Sequence, residues 1–143
     1  MEGAVRLEGV RHLVRDEVRP AVRAAKPIRG VLAPTQVHPE VAKNQKPFEG
    51  QPFEISIDRI EPETLFSFRW HPFAIDPKVD YSKEPTTLIV FTLAEAAGGV
   101  LLTVTESGFD KIPLERRLAA FAADEVAWDV GTQLIELYLA RVA

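Results

Sequence analysis

Glu106 is the residue of this sequence best placed to do chemistry. It follows Leu102 and Val104 at a spacing of two residues, so in a β-strand its carboxylate points to the same face as those apolar side chains. A carboxylate on a buried face needs a partner or a raised pKa. Glu106 is therefore either a polar anchor or general acid–base in a cavity, or a structural group bonded to backbone near Ser107 and Gly108, to an arginine, or to water at the sheet rim.

Trp70 and His71 close another predicted strand, directly before a proline. A lone histidine at a corner between a strand and a loop is more often structural, and the functional alternative for His71 is a donor to a ligand or a partner of Glu106 or Asp110.

The other classes of chemical site have no support in the sequence. There is no cysteine, which excludes disulfides, thiolate metal ligands and a cysteine nucleophile. His12 and His38 have no ligand-like spacing, so nothing encodes a metal site. Hydrolase-triad spacing and phosphate-binding glycine loops are also missing. We predict no metal, no cofactor and no assigned catalytic residue.

Aromatic residues form the apolar set around Glu106. Residues that line a cavity and residues that fill one follow the same pattern, so both interpretations stay open. Phe109, which follows Gly108 where the last strand ends, is either a gate to a cavity or a plug in it. The predicted ligand-binding set is Phe66, Phe68, Trp70, His71, Phe91, Glu106, Phe109, Phe121 and Trp128.

Alternation and turn residues predict the elements that position this set. A short helix over about residues 10–19, with one further turn to residue 25, follows the first strand. Residues 34–52 and 71–85 are predicted loops. The predicted strands cover residues 4–8, 28–33, 53–60, 64–70, 86–94 and 100–106.

From Pro113 onward the apolar residues recur with helical spacing, which predicts a helix of about 25 residues. This order of elements predicts an α+β domain, in which a curved antiparallel sheet grips a long C-terminal helix. The helix is the only element large enough to cover the sheet, and a gap between them would suit a small apolar ligand. The predicted buried stripe of the helix is Leu114, Leu118, Phe121, Trp128, Ile135 and Leu139.

Length and composition fit one globular domain spanning residues 1–143. The net charge of −4 gives no electrostatic reason to expect a nucleic-acid partner. No apolar run is long enough to insert into a membrane, and the first twenty residues lack the apolar core of a secretory signal. We expect a cytoplasmic protein, as a monomer or homodimer.

Several segments together resemble one family. They are FSFRWHP at 66–72, TLIVFTL at 87–93, GVLLTVTESGF at 99–109, Trp128 and LIELYL at 134–139. Over about residues 27–140 the chain resembles bacterial proteins similar to the C-terminal domain of the heat-shock protein 90 ATPase activator. That family belongs to the START and Bet v 1-like superfamily of helix-grip folds.

The resemblance implies a fold and several functions. Its superfamily implies binding of an apolar or lipid-like molecule, which we take as the leading hypothesis. Its family name implies a second alternative, a chaperone partner with a role in stress response. The third alternative is an enzyme of the cyclase or hydrolase type that uses Glu106, His71 or Asp110. Few residues separate Val22 from Pro27, so the family's second helix is predicted to be short or absent, leaving the cavity open or closed by another subunit.

Overall fold

Alternating apolar residues and short turns give the chain its sheet. The structure, a computed structural model, describes the backbone of residues 2–7 and the chain from 27 to 142. Within these ranges, six strands form one antiparallel sheet in the order β1-β6-β5-β4-β3-β2. Their bounds are β1 Glu2–Leu7, β2 Pro27–Val31, β3 Pro52–Glu61, β4 Leu65–Trp70, β5 Thr87–Ala96 and β6 Gly99–Ser107.

The register places the functional candidates in neighbouring rows of the sheet. Phe68 of β4 lies opposite Ile89 of β5, and Ile89 lies opposite Glu106 of β6. In the next row Trp70 lies opposite Thr87. Directly opposed residues share a face of the sheet, so the predicted alternation brings Glu106 and Trp70 to one face.

The long C-terminal helix, α2 (Leu114–Val142), covers that face. Gly108, in the left-handed conformation at φ 100°, turns the chain at the end of β6 toward α2, a conformation that glycine adopts without steric cost. Trp128, Ile135 and Leu139 of α2 pack against a core that includes buried residues of β4, β5 and β6. The predicted α+β helix-grip architecture is confirmed. The buried members of that core are Phe68, Ile89, Leu102 and Val104.

The prediction of a loop over residues 34–52 is wrong in its middle. It contains a short helix, α1 (Pro39–Gln45), followed by a 3₁₀ turn. The ring nitrogen Nδ1 of His38 accepts a hydrogen bond from the backbone N–H of Val41, and Pro39 occupies the first turn, where a missing N–H costs nothing. None of the residues of α1 is buried, so the segment lacks the apolar periodicity on which the prediction relied. Its N-cap and its proline define the helix instead.

The predicted stripe of α2 is wrong at its first two positions. Leu114 and Leu118 are 72% and 80% exposed, whereas Phe109 and Ile112 of the preceding turn are buried with Ala120. The helical spacing of the two leucines continues that of the buried residues, but spacing alone does not show which helix positions meet the sheet.

The predicted first helix over residues 10–19 and the shortened segment before Pro27 lie outside the described residues. In the part of the chain that the structure describes, no helix is long and apolar enough to cross a membrane.

Candidate functional site

The site centres on the carboxylate of Glu106, which is 1% exposed. Trp70 is the last residue of β4 and Thr87 is the first residue of β5. From α2, Asp124 and Trp128 lie four residues apart, which places both on one side of the helix. Strand ends and helix thus converge on one buried carboxylate, and we call these five residues the Glu106 cluster.

Glu106 accepts hydrogen bonds through both of its oxygens. Oε1 receives the indole N–H of Trp70 at 2.9 Å and the hydroxyl of Thr87 at 2.6 Å. Oε2 receives the indole N–H of Trp128 at 2.6 Å. An indole nitrogen can only donate, so these geometries require acceptor oxygens on Glu106.

Asp124 supplies a second buried carboxyl group, 5% exposed. Its pKa is raised to about 8, because burial disfavours its charged form and the charge and hydrogen bond of Glu106 act in the same direction, against an opposing effect of Arg116. At neutral pH Asp124 is therefore a neutral acid beside Glu106. Its Oδ2 has no hydrogen-bond partner among the described residues.

A partly buried ion pair lies next to this carboxyl pair. The Nε of Arg116 donates to Oε2 of Glu84 at 2.7 Å and its Nη1 donates to the carbonyl of Pro72 at 2.8 Å. The Nη2 atom lies 2.6 Å from the same Glu84 oxygen at an angle that makes no hydrogen bond. The Arg116 guanidinium also lies 4.8 Å from the ring centre of Tyr81. The positive charge is thus held in place by strong partners.

The surroundings of Glu106 decide between its two predicted roles. The predicted burial is confirmed, but the predicted structural partners are wrong: the contacts are two indoles, a hydroxyl and Asp124 instead of backbone near Gly108, an arginine or rim water. With both oxygens occupied, Glu106 fastens the helix to the sheet. Of the two carboxyl groups, Asp124 keeps one oxygen, Oδ2, without a hydrogen-bond partner among the described residues.

His71 lies beside the cluster and is bonded elsewhere. Its Nε2 is 3.1 Å from the backbone carbonyl of Glu84, the residue that binds Arg116. This contact corresponds to the structural alternative, a histidine that ties the end of β4 to the following loop.

The predicted aromatic residues lie in two packed groups. Phe66, Phe68 and Phe91 contact one another with ring centres 5.7 to 6.2 Å apart, and Phe91 also meets Trp128 edge to face at 5.5 Å. Phe109 is buried against Phe121, with ring centres 5.2 Å apart, and its role as a gate or a plug stays a prediction. Binding of a ligand by any of the nine predicted residues stays a prediction.

An open groove lies at the other end of α2. It has a volume of about 540 Å³ and is formed by the last turns of α2 and the loop before α1. Its apolar side chains are Val37, Leu134, Ile135 and Val142, and its polar ones are Thr35, Gln36, Tyr138 and Arg141.

Sequence reasoning missed Asp124, Arg116 and the groove residues. Asp124 had a usable signal, since it lies four residues before Trp128 and three after Phe121 and so interrupts the apolar stripe with a carboxylate. Arg116 and Arg141 had none, because an arginine at a helix end is usually solvated. Among the described residues, no three His, Asp or Glu side chains are grouped as metal ligands would be.

Replacing Asp124 with asparagine should change how stability depends on pH. The folded state keeps a proton on Asp124 up to about pH 8, whereas the unfolded chain loses it near pH 4. The contribution of this proton to the free energy of unfolding is therefore complete below the unfolded pKa. It decreases as the pH rises toward 8, by about 1.4 kcal/mol per pH unit. Asp124→Asn, whose amide can also donate to Glu106, should remove this slope in urea unfolding from pH 5 to 8.

The exposed Asp129 of the same helix provides the control. Asp129→Asn should keep the wild-type slope. A slope in Asp124→Asn equal to that of the wild type would show that Asp124 does not hold this proton.

Replacing Glu106 with glutamine should destabilise the fold. The glutamine amide offers one acceptor oxygen where indole and hydroxyl donors now meet two, so at least one buried donor loses its partner at a cost of about 1–3 kcal/mol. Equilibrium unfolding at neutral pH measures the loss. Glu125→Gln, an exposed neighbour of Asp124, should change stability by less than about 0.5 kcal/mol. An equal effect of both variants would contradict the role of Glu106.

Residues 39–129 match the model of a family described as activator of Hsp90 ATPase homolog 1-like protein. No curated protein matches the chain. A crystal structure of a structural-genomics protein from Mesorhizobium loti is 18% identical, covers 83% of this chain and 98% of its own, and has a TM-score of 0.49. Because the family match extends over more than half of the sequence, this protein belongs to the activator of Hsp90 ATPase homolog 1-like family, as its strand and helix motifs predict.

Proposed function

We propose that this protein binds a small apolar molecule in the groove between α2 and the loop before α1. The observation that supports the proposal is the volume of about 540 Å³ with a lining surface that is mostly apolar. Pockets for small ligands are typically about 300–1,000 Å³, with apolar walls and few polar groups. The groove fits this description in both size and lining.

One side of α2 supplies the main wall. Leu134, Tyr138 and Val142 follow one another at four-residue spacing, which places them on one face of the helix. Val37 lies across from them on the loop. An alkyl chain between these walls would be removed from contact with water, and each buried methylene group contributes about 0.8 kcal/mol to the free energy of binding.

The core supports the same proposal from behind the groove. Ile135 lines the groove and also packs against the cluster that contains Phe68 and Ile89. A ligand there would extend the hydrophobic core.

A series of straight-chain alcohols tests this proposal by titration calorimetry. From hexanol to decanol, affinity should rise about fourfold per methylene group, the equivalent of about 0.8 kcal/mol. Leu134→Trp fills the groove and should weaken decanol binding at least about tenfold, or 1.4 kcal/mol. Leu137→Trp makes the same change at an α2 position outside the groove and should bind normally.

Two results would contradict the proposal. One is the absence of binding by every alcohol in the series. The other is binding that Leu134→Trp and Leu137→Trp weaken equally.

A second candidate is a partner-binding role at an Hsp90-type chaperone. The family description names activation of the Hsp90 ATPase, and α2 exposes several large apolar residues to which another protein could bind. Leu114, Leu118 and Val126 are 72%, 80% and 63% exposed, and exposed apolar patches often mark interaction sites.

The ATPase rate of the Hsp90-type chaperone from the same organism tests this second candidate. Under this candidate, the protein should raise the rate and Leu118→Asp should abolish the increase, because a charge in an apolar contact is costly to bury. Ala127→Asp, at an exposed position on the opposite side of α2 from Leu118, should leave the increase in ATPase rate unchanged. An unchanged chaperone rate with the wild-type protein would remove the candidate.

A further inference from the structure

We propose that the groove selects amphiphiles with a carboxylate head group, which the guanidinium of Arg141 binds at the rim. This inference rests on the proposed function, since it names the class of ligand for the same groove. It follows from the combination of an apolar interior and one strongly basic side chain among its lining residues.

The charge of Arg141 is not neutralised within the described part of the chain. Its Nη1 donates to the backbone carbonyl of Gln36 at 3.3 Å, longer than the usual N–H···O distance of about 2.9–3.0 Å. By contrast, Arg29, Arg59 and Arg116 each pair with a glutamate. A guanidinium has five N–H donors, so Arg141 keeps most of them for a ligand.

The position of Arg141 directs this charge over the groove. The side chain starts in the last turn of α2 and reaches the carbonyl of Gln36 on the opposite wall, so it crosses the opening. A ligand whose chain lies along Leu134 and Ile135 would place its polar head at this crossing. Tyr138, half exposed on the same helix face, offers a hydroxyl as a second donor at the rim.

One opposing effect has to be weighed. The C-terminal end of a helix carries about half a negative charge, which disfavours a carboxylate nearby. The guanidinium carries a full positive charge and can meet both carboxylate oxygens at once. It also lies over the groove, so it is nearer to the head group than the helix end is. The attraction therefore exceeds the repulsion, although exposure to water keeps the gain small.

Three ligands with the same alkyl chain test the inference by titration calorimetry at neutral pH. Decanoate should bind about threefold to fivefold more tightly than decanol at low salt, the range of an exposed ion pair, and decyltrimethylammonium should bind more weakly than decanol. The preference should shrink in 1 M NaCl, where charges are screened within about 3 Å.

Variants identify the residue responsible. Arg141→Gln should bring decanoate to the affinity of decanol and leave decanol binding unchanged, and Arg141→Lys should retain part of the preference. Lys111→Gln, an exposed change of the same charge before α2 begins, should retain all of it. Equal melting temperatures of the three variants would show that they fold alike.

The outcomes separate this inference from the proposed function. If decanol and decanoate bind equally well, or if the preference survives in Arg141→Gln, the inference is wrong while the groove remains a binding site. If neither ligand binds, both are overturned. Tighter binding of decanoate that is lost in Arg141→Gln alone supports both.

Discussion

The hydrogen bonds to Glu106 are the constraint on which the rest of the structure depends. The indole groups of Trp70 and Trp128 belong to the sheet and to α2 respectively, and both donate to this one carboxylate. Hydrophobic packing alone is not directional, so it would allow α2 to slide or rotate on the sheet. Trp70 and Thr87 hold the carboxylate on the sheet, and the bond from Trp128, with that of Asp124, ties the helix to it. Losing the Trp128 bond would leave an indole N–H without an acceptor, which makes this position of α2 costly to leave.

Asp124 explains how two carboxyl groups can share a buried site. If both were ionised, their repulsion would act through a poorly screened interior. Retaining a proton on Asp124 avoids this repulsion and keeps the site at a single negative charge. The paired charges of Arg116 and Glu84 are close by. Buried polar networks of this kind favour conformational specificity more than stability in some proteins, and the fixed position of α2 on the sheet is consistent with that role.

The sequence predicted the sheet and α2 because their signals are local. The alternation from Phe66 to Trp70 and the change of period after Pro113 each appear within a few residues. Side-chain partners are set by the three-dimensional register, which no local pattern contains. The burial of Glu106 could therefore be predicted and its partners could not. The short helix α1 was missed for a related reason, since caps and a proline define it in a segment without periodicity.

The geometry also connects the two ends of α2. Ten residues separate Asp124 from Leu134, about 15 Å along a helix. A helix is stiff over this length, so fixing its middle at Glu106 fixes the wall that Leu134 and Tyr138 present to the groove. The loop that carries Val37 forms the opposite wall, and the bond from Arg141 to Gln36 joins it to the helix. The buried carboxylate thus sets the position of the helical wall of the groove, and this bond ties the loop wall to it.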